Sequence, residues 1–239
     1  MKQTSFEEFK TLATQGTFVP VCKEILADLL TPVSAFLKVA EHSDYAFLLE
    51  SVEGGEQVAR YSFLGKDPFL VLRGRDGRST IEQAGIVREC DQPFVEALRA
   101  VMTEYHSPIV EGLPRFTGGA VGYLGYDSVP WFEPKLAKSW TDGPEADDGA
   151  SDDAVFMLFD TVLAFDHVKH RILIIANARV ASDEPLESLY QFACAKIRFL
   201  EGELERTLSR PGTLNVEPSV VNSNISQEGF EDAVLRAKR

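Results

Sequence analysis

Two apolar runs constrain this chain more than anything else in it. Ala154 to Phe165 and Arg171 to Ala178 are dense in Val, Ile, Leu, Phe and Ala, and Asp166-His-Val-Lys-His170 joins them. Their length, and the absence of a helical stretch between them, predict two strands paired as an antiparallel hairpin. His167 and His170 then belong to the hairpin tip. A metal pair is the sharper reading, but no nearby Cys or third ligand accompanies them, and exposed turn residues are the favoured reading. From Arg60 to Glu89 the pattern is again β: Tyr61 to Leu64, Phe69 to Arg73, Ser79 to Glu82 and Gly85 to Arg88 are separated by Gly and Asp, with a hairpin signal at Asp76-Gly77. Thr17 to Cys22 leans to β, and Tyr45 to Ser51 reads as a strand.

Helices flank these runs. Ser5 stands three residues before Glu8, the spacing of a capping box, ahead of Phe6, Phe9 and Leu12. Thr31-Pro32 opens a second helix and Pro93 a third, with Phe94, Leu98 and Val101 on one side. Glu187 to Leu208 is the longest, with Leu189, Phe192, Ala193, Ile197, Leu200 and Leu204 at helical spacing. Strands in hairpins with helices around them predict an α+β fold, its antiparallel sheets packed as a sandwich, rather than a doubly wound sheet.

Length and charge bound the rest. The chain has 239 residues and a formal net charge of −13, which disfavours nucleic acid as a partner. No apolar run approaches the ~20 residues that span a bilayer, and Met1 to Glu8 lacks the apolar segment of a signal peptide. Cys22, Cys90 and Cys194 are far apart and in no CxxC pair, which argues for a reducing compartment and against a disulfide framework or a zinc site. Asp142 to Asp153 is acidic without Lys or Arg and reads as a solvated surface loop; it lacks the alternation and final Glu of an EF-hand calcium loop. A polar linker, Gly212 to Asn224, precedes an amphipathic helix from Ser226 with Phe230, Val234 and Ala237 on one face. That helix is either the first of a further domain or a terminal helix that folds back, and the pattern leaves the two evenly balanced.

No GxSxG, HExxH, GxxxxGK[ST] or GxGxxG motif occurs. Gly119, Gly122 and Gly125, spaced by three, suit a helix-like turn packed closely on a sheet better than a phosphate cradle. Glu50-Ser51 closes an apolar strand, where a carboxylate and a hydroxyl can sit together at a pocket mouth. On the residues alone a solvated Glu50 and a turn at Ser51 is the favoured reading. If this segment pairs with Arg60-Tyr-Ser62, Arg60 falls near Ser51 and the group could hold a small amino acid.

These residues carry a resemblance. Leu48-Leu-Glu-Ser51, Arg60-Tyr-Ser-Phe-Leu-Gly65 with Asp67-Pro68, and Phe116-Thr-Gly-Gly-Ala-Val-Gly-Tyr-Leu-Gly-Tyr-Asp127 together resemble the N-terminal region of the anthranilate synthase component I family, over nearly all of residues 4 to 239. The resemblance implies a longer enzyme, a carbon–oxygen lyase of tryptophan biosynthesis that converts chorismate to anthranilate. It implies Mg2+, and ammonia from a glutamine amidotransferase subunit, component II. Residues 1–211 would form the regulatory domain, and 212–239 the linker and first helix of a catalytic domain that holds the chorismate and Mg2+ residues. This stretch would then carry no catalytic or metal residue and no cofactor, and would be inactive alone. By the same resemblance Leu49, Glu50 and Ser51, with Arg60 as a weaker candidate, belong to a pocket for L-tryptophan, an allosteric feedback inhibitor, in a cytoplasmic protein with no membrane or nucleic-acid partner. The alternatives are the corresponding part of aminodeoxychorismate synthase component I, of folate biosynthesis, and a stand-alone amino-acid-binding module.

Overall fold

A computed structural model describes residues 3–27, 29–50, 60–75, 77–136, 152–180, 184–207, 223 and 225–239. The chain divides into two compact units, Met1–Thr207 and Leu208–Arg239. Among the described residues of the first unit, ten strands make two five-stranded antiparallel sheets. Sheet 1 has the order β1 (Phe18–Leu26), β10 (Arg171–Arg179), β9 (Thr161–Asp166), β3 (Tyr61–Lys66), β2 (Ala46–Leu49). Sheet 2 has the order β6 (Ile86–Cys90), β5 (Arg78–Gln83), β4 (Leu70–Arg75), β8 (Ala154–Phe159), β7 (Gly119–Leu124).

Sheet 1 is apolar on both faces, and this organises the layers. Along β10, Ile172, Ile174 and Ala176 point to one side and Leu173 and Ile175 to the other, all of them buried. The first side packs under α1 (Phe6–Ala13), α2 (Pro32–Val39) and α5 (Leu186–Glu205), through Phe9, Ala35, Val39, Leu189, Ile197 and Leu200. The second side meets sheet 2 through Phe47, Val162 and Ala164 against Phe159, Met157 and Val121, which makes the α+β sandwich. The far face of sheet 2 is covered by α3 (Phe94–Glu104), with Phe94, Ala97 and Val101 on Leu70, Leu72 and Leu158. A short α4 (Val129–Phe132) follows β7.

Local chemistry sets the boundaries. Ser5 caps α1 in a reciprocal box: the Glu8 N–H donates to Ser5 Oγ at 3.3 Å and the Ser5 N–H to Glu8 Oε2 at 2.8 Å. Thr31 and Ser34 cap α2 in the same way, with Pro32 in its first turn. The expected hairpin is β9–β10, closed by the exposed turn 167–170. The run from Ala154 to Phe165 is not one strand, however. It breaks at Asp160, where the chain leaves sheet 2 and enters sheet 1. The glycine-rich segment also departs from expectation: Gly119 and Gly122 lie in the strand β7, not on a helix-like turn. Close packing is nonetheless the role of Gly122, because a Cβ there would collide with the Val155 carbonyl and come within 2.7 Å of Phe156 Cα, whereas at Gly119 the nearest atom is Phe116 Cε2 at 4.0 Å and the φ is +123°. Of the acidic stretch, Asp142 to Ser151 lies outside the described residues; Asp152 is ion-paired to Arg73 at 2.9 Å.

In the second unit, α6 (Gln227–Ala237) starts at the N-cap Ser226, whose Oγ accepts from the Gly229 N–H at 3.2 Å. None of its side chains is buried, and Phe230 is 60% exposed. Most of the expected linker lies outside the described residues.

Gly122→Ala tests the β7–β8 approach. Both atoms that a Cβ would meet are backbone of a paired strand and cannot swing aside. The expected loss is about 1–3 kcal/mol, which lowers Tm by about 2–4 °C per kcal/mol for a domain of this size. Thermal unfolding followed by circular dichroism reads it; an unchanged Tm would contradict the packing role.

Candidate functional site

The site begins with the pairing of β2 and β3, whose register sets Ala46 opposite Lys66 and Leu49 opposite Phe63. Strand β2 is the edge of sheet 1 and has one partner. Leu49 is its last residue and is 48% exposed; Glu50 follows and is exposed. Ser51 lies outside the described residues. Arg60 immediately precedes β3, so the hairpin inferred from sequence is present and Leu49, Glu50 and Arg60 flank its loop end.

An aromatic cluster stands behind that end. Phe47 lies edge-on to Phe159 at 4.7 Å and to Phe116 at 6.2 Å, and Phe63 lies edge-on to Phe116 at 5.3 Å. Tyr61 extends the cluster, 5.8 Å from Phe63. The three motif segments therefore converge: Phe47 leads into Leu-Leu-Glu-Ser, Phe63 belongs to Arg-Tyr-Ser-Phe, and Phe116 opens the glycine-rich stretch. Gly65 lets this happen, since a Cβ there would fall 2.5 Å from the Phe47 ring. Phe47 and Phe159 are buried core between the sheets, and only Phe63 and Phe116 are half-buried at its margin.

The acid that Arg60 meets is Asp166. Its Nε donates to Asp166 Oδ1 at 3.1 Å and an Nη to Oδ2 at 2.9 Å, a two-pronged grip. The Arg171 Nε donates to Oδ2 at 3.3 Å and the Lys169 N–H to Oδ1 at 3.3 Å. Arg171 in turn holds Glu24 at 2.6 Å. The Asp166 side chain is fully enclosed. Burial by itself would raise its pKa, but the hydrogen bonds from Arg60, Lys169 and Arg171 outweigh burial and hold the carboxyl below the ordinary aspartate value. Arg60 is pushed up, first by its hydrogen bond to Asp166. The Arg60 guanidinium also lies 4.8 Å from the Tyr61 ring centroid, a cation–π contact. Ser62 Oγ pairs with His167 Nε2 at 2.8 Å. Sequence reasoning missed Asp166. The available signal was the hairpin itself: a turn over 167–170 makes Asp166 and Arg171 the closing pair, with opposite charges across it.

Among the described residues no group of three His, Cys, Asp or Glu converges. Cys22, at the floor of a separate cavity of about 420 Å3 beside Arg171, has its thiol pushed up to about 12, chiefly by burial.

Comparison with known proteins decides the relationship. No family model matches the chain. Anthranilate synthase component 1 of Acetivibrio thermocellus is 38% identical over 243 residues, covering 98% of this chain and 47% of that protein. The protein of the same name from Synechocystis is 36% identical over 249 residues, covering 100% and 48%. The crystal structure of anthranilate synthase component I from Streptococcus pneumoniae matches with a TM-score of 0.51 at 25% identity, over 90% of this chain and 44% of that one. The chain is homologous to anthranilate synthase component 1. It spans about half the length of these anthranilate synthase relatives. Among the described residues no helix is long and apolar enough to cross a membrane.

The Asp166 grip makes stability depend on acid. A carboxyl with a depressed folded pKa contributes stability that is fully present above the unfolded value, about 3.9, and is lost as pH falls through the lower folded value. Thermal melts from neutral pH down to about pH 2 are expected to show this loss below the ordinary aspartate range. In Asp166→Asn that part of the acid dependence disappears, and neutral-pH stability falls to a lower plateau. An identical acid profile for wild type and variant would contradict it.

Proposed function

We propose that this chain is the N-terminal, tryptophan-sensing portion of an anthranilate synthase component I. The whole protein would convert chorismate to anthranilate in tryptophan biosynthesis, with ammonia from the glutamine amidotransferase subunit, component II. One observation carries the reading. Phe47, just before the Leu48–Ser51 segment, meets Phe63 and Phe116 of the other two motif segments in one aromatic cluster near the loop end of the β2–β3 hairpin, in a chain that aligns along 98% of its length with a protein of that name. The relatives' shared name favours this over the aminodeoxychorismate enzyme and over a stand-alone binding module.

The chemistry of the site supports an amino-acid effector. Exposed Glu50 offers acceptors to an ammonium group, and the half-buried Phe63 and Phe116 offer a border for an indole. Leu49 and Ser51 complete the expected contact set. Arg60 acts through its grip on Asp166, which fixes the start of β3. Catalysis and its Mg2+ are assigned to the remainder of the longer protein. Residues 1–211 form the regulatory domain in this scheme, with 212–239 leading into the catalytic one. The reading places the protein in the cytoplasm, in keeping with free Cys22, Cys90 and Cys194.

Two measurements test it. The 239-residue chain alone, given chorismate, ammonia and Mg2+, is expected to yield no anthranilate fluorescence; measurable product would contradict the division of labour. In the whole enzyme, Glu50→Gln removes a charged acceptor, a net loss of about 1.5–3 kcal/mol. Since each 1.4 kcal/mol is tenfold in affinity, the tryptophan concentration for half-inhibition is expected to rise about 10- to 100-fold at unchanged kcat. Ser51→Phe, which adds bulk, is expected to relieve inhibition more completely. Full inhibition of both stable variants would remove these residues from the effector site, because feedback fails when the effector cannot bind.

A further inference from the structure

Each sheet has two edge strands among the described residues, and an edge exposes backbone N–H and C=O groups with which another strand can pair. Three of these edges are protected. The outer side of β1 is covered by residues 3 and 4: the Thr4 N–H donates to the Cys22 carbonyl at 2.9 Å, the Cys22 N–H to Thr4 Oγ1 at 3.0 Å, and Gln3 bridges to Lys23. Strand β2 has only four residues. Strand β6 carries Arg88 and Glu89. A covering segment, short length and charge are the devices by which sheets avoid unwanted pairing. Strand β7, Gly119-Ala-Val-Gly-Tyr-Leu124, has none of them, being six residues long without a charge or a Pro.

The register fixes which groups that edge offers. The Gly125 N–H donates to the Asp153 carbonyl at 2.7 Å, and Leu124 stands opposite Ala154. Antiparallel residues alternate between bonding to the partner strand and facing away from it. Tyr123, Val121 and Gly119 therefore bond to β8, and the N–H and C=O groups of Ala120, Gly122 and Leu124 point outward. Among the described residues no strand pairs with that side. The strand is apolar on both faces. Val121 packs into the core between the sheets and Ala120 into the core under α3, while Tyr123 is 50% and Leu124 45% exposed. A strand laid beside β7 would extend both cores at once, which calls for a continuous apolar run rather than an alternating one.

We propose that β7 receives an apolar, uncharged strand from the remainder of the longer protein, so that sheet 2 is completed across its two halves. The proposal rests on the reading that this chain is one part of such a protein. Two observations select this occupant. This chain covers 47% and 48% of its relatives, so a comparable length of polypeptide shares the whole protein with it. A covalently joined strand also acts at an effective concentration of about millimolar order. A second copy brings a further net charge of −13 and meets repulsion instead.

Amide hydrogen exchange at Ala120, Gly122 and Leu124 reads the pairing directly, because these N–H groups have no part in the β7–β8 ladder. They are expected to exchange freely in the monomeric 239-residue chain, and at least about 100-fold more slowly in the whole protein. Leu124→Pro removes one outward donor and none that β8 uses. It is expected to leave the Tm of the 239-residue chain unchanged and to lower that of the whole protein; an unchanged Tm of the whole protein would overturn the proposal. Free exchange of the three amides in a whole protein that makes anthranilate would overturn it too and leave the functional reading standing. Slow exchange in a whole protein that makes none would support the pairing and overturn that reading. Protection already present in the monomeric 239-residue chain would assign the edge to this chain's own residues, and protection that the whole protein loses on dilution to a monomer would assign it to a second copy. Either result would overturn the proposal.

Discussion

The architecture turns on one buried polar corner. At Asp160 the chain passes from β8 in one sheet to β9 in the other, and a sheet switch leaves backbone groups that no ladder can satisfy. Asn177, buried in β10, resolves this. Its N–H donates to the Asp160 carbonyl at 2.7 Å, and its Nδ2 donates to that carbonyl at 3.1 Å and to the Thr117 carbonyl at 2.7 Å. The Asp160 carboxylate meanwhile holds Thr161 and Lys196. One side-chain amide and one carboxylate thus tie both sheets, the entry to β7 and helix α5 together. Low dielectric makes such a network strong when complete and costly when broken. Gly118 belongs to the same corner: a Cβ there would stand 2.6 Å from Asn177 Nδ2 and 2.9 Å from the Phe159 carbonyl.

That corner also explains what the sequence could and could not disclose. Ala154 to Phe165 reads as one strand because both halves are buried, so alternation is suppressed on either side of the switch. The single clue was a lone Asp in an apolar run, and its meaning depends on Asn177, seventeen residues away. Strand β7 was hidden for a different reason. Glycines are poor strand formers, and a spacing of three mimics a helix face; the partner strand β8 supplies the conformation. By contrast, Ser5 and Glu8, Thr31 and Pro32, and the hairpin at 166–171 disclose themselves, because caps and turns are local chemistry.

The candidate site was legible to the same extent. Leu49 and Glu50 sit at the end of a strand, as an apolar run closed by polar residues implies, and the hairpin with Arg60 follows from the turn-rich gap between them. The partners of these residues were not legible. Asp166 is distant in sequence from Arg60, and Phe116 meets Phe47 and Phe63 only because β7 and β8 bring the glycine-rich segment beneath sheet 1. Register decides which of several charged neighbours an arginine grips, and register is a tertiary property.

The placement of the hairpin end suits an effector site on physical grounds. The centre of sheet 1 is pinned on both faces: β10 and β9 have two strand partners each and a helix layer above. Strand β2 has four residues, one partner and an exposed last residue. Local opening free energy falls from the pinned centre toward such an edge. A ligand seated at that edge can therefore order or shift the hairpin end at modest cost while the corner at Asp160 stays closed. The grip of Arg60 on Asp166 marks the boundary between the two regimes. On the β3 side of it the strand is anchored to β9 through Tyr61 to Leu64. A signal carried by the hairpin end would thus travel along β2 and β3 as a unit, rather than dissipate in a deformable core.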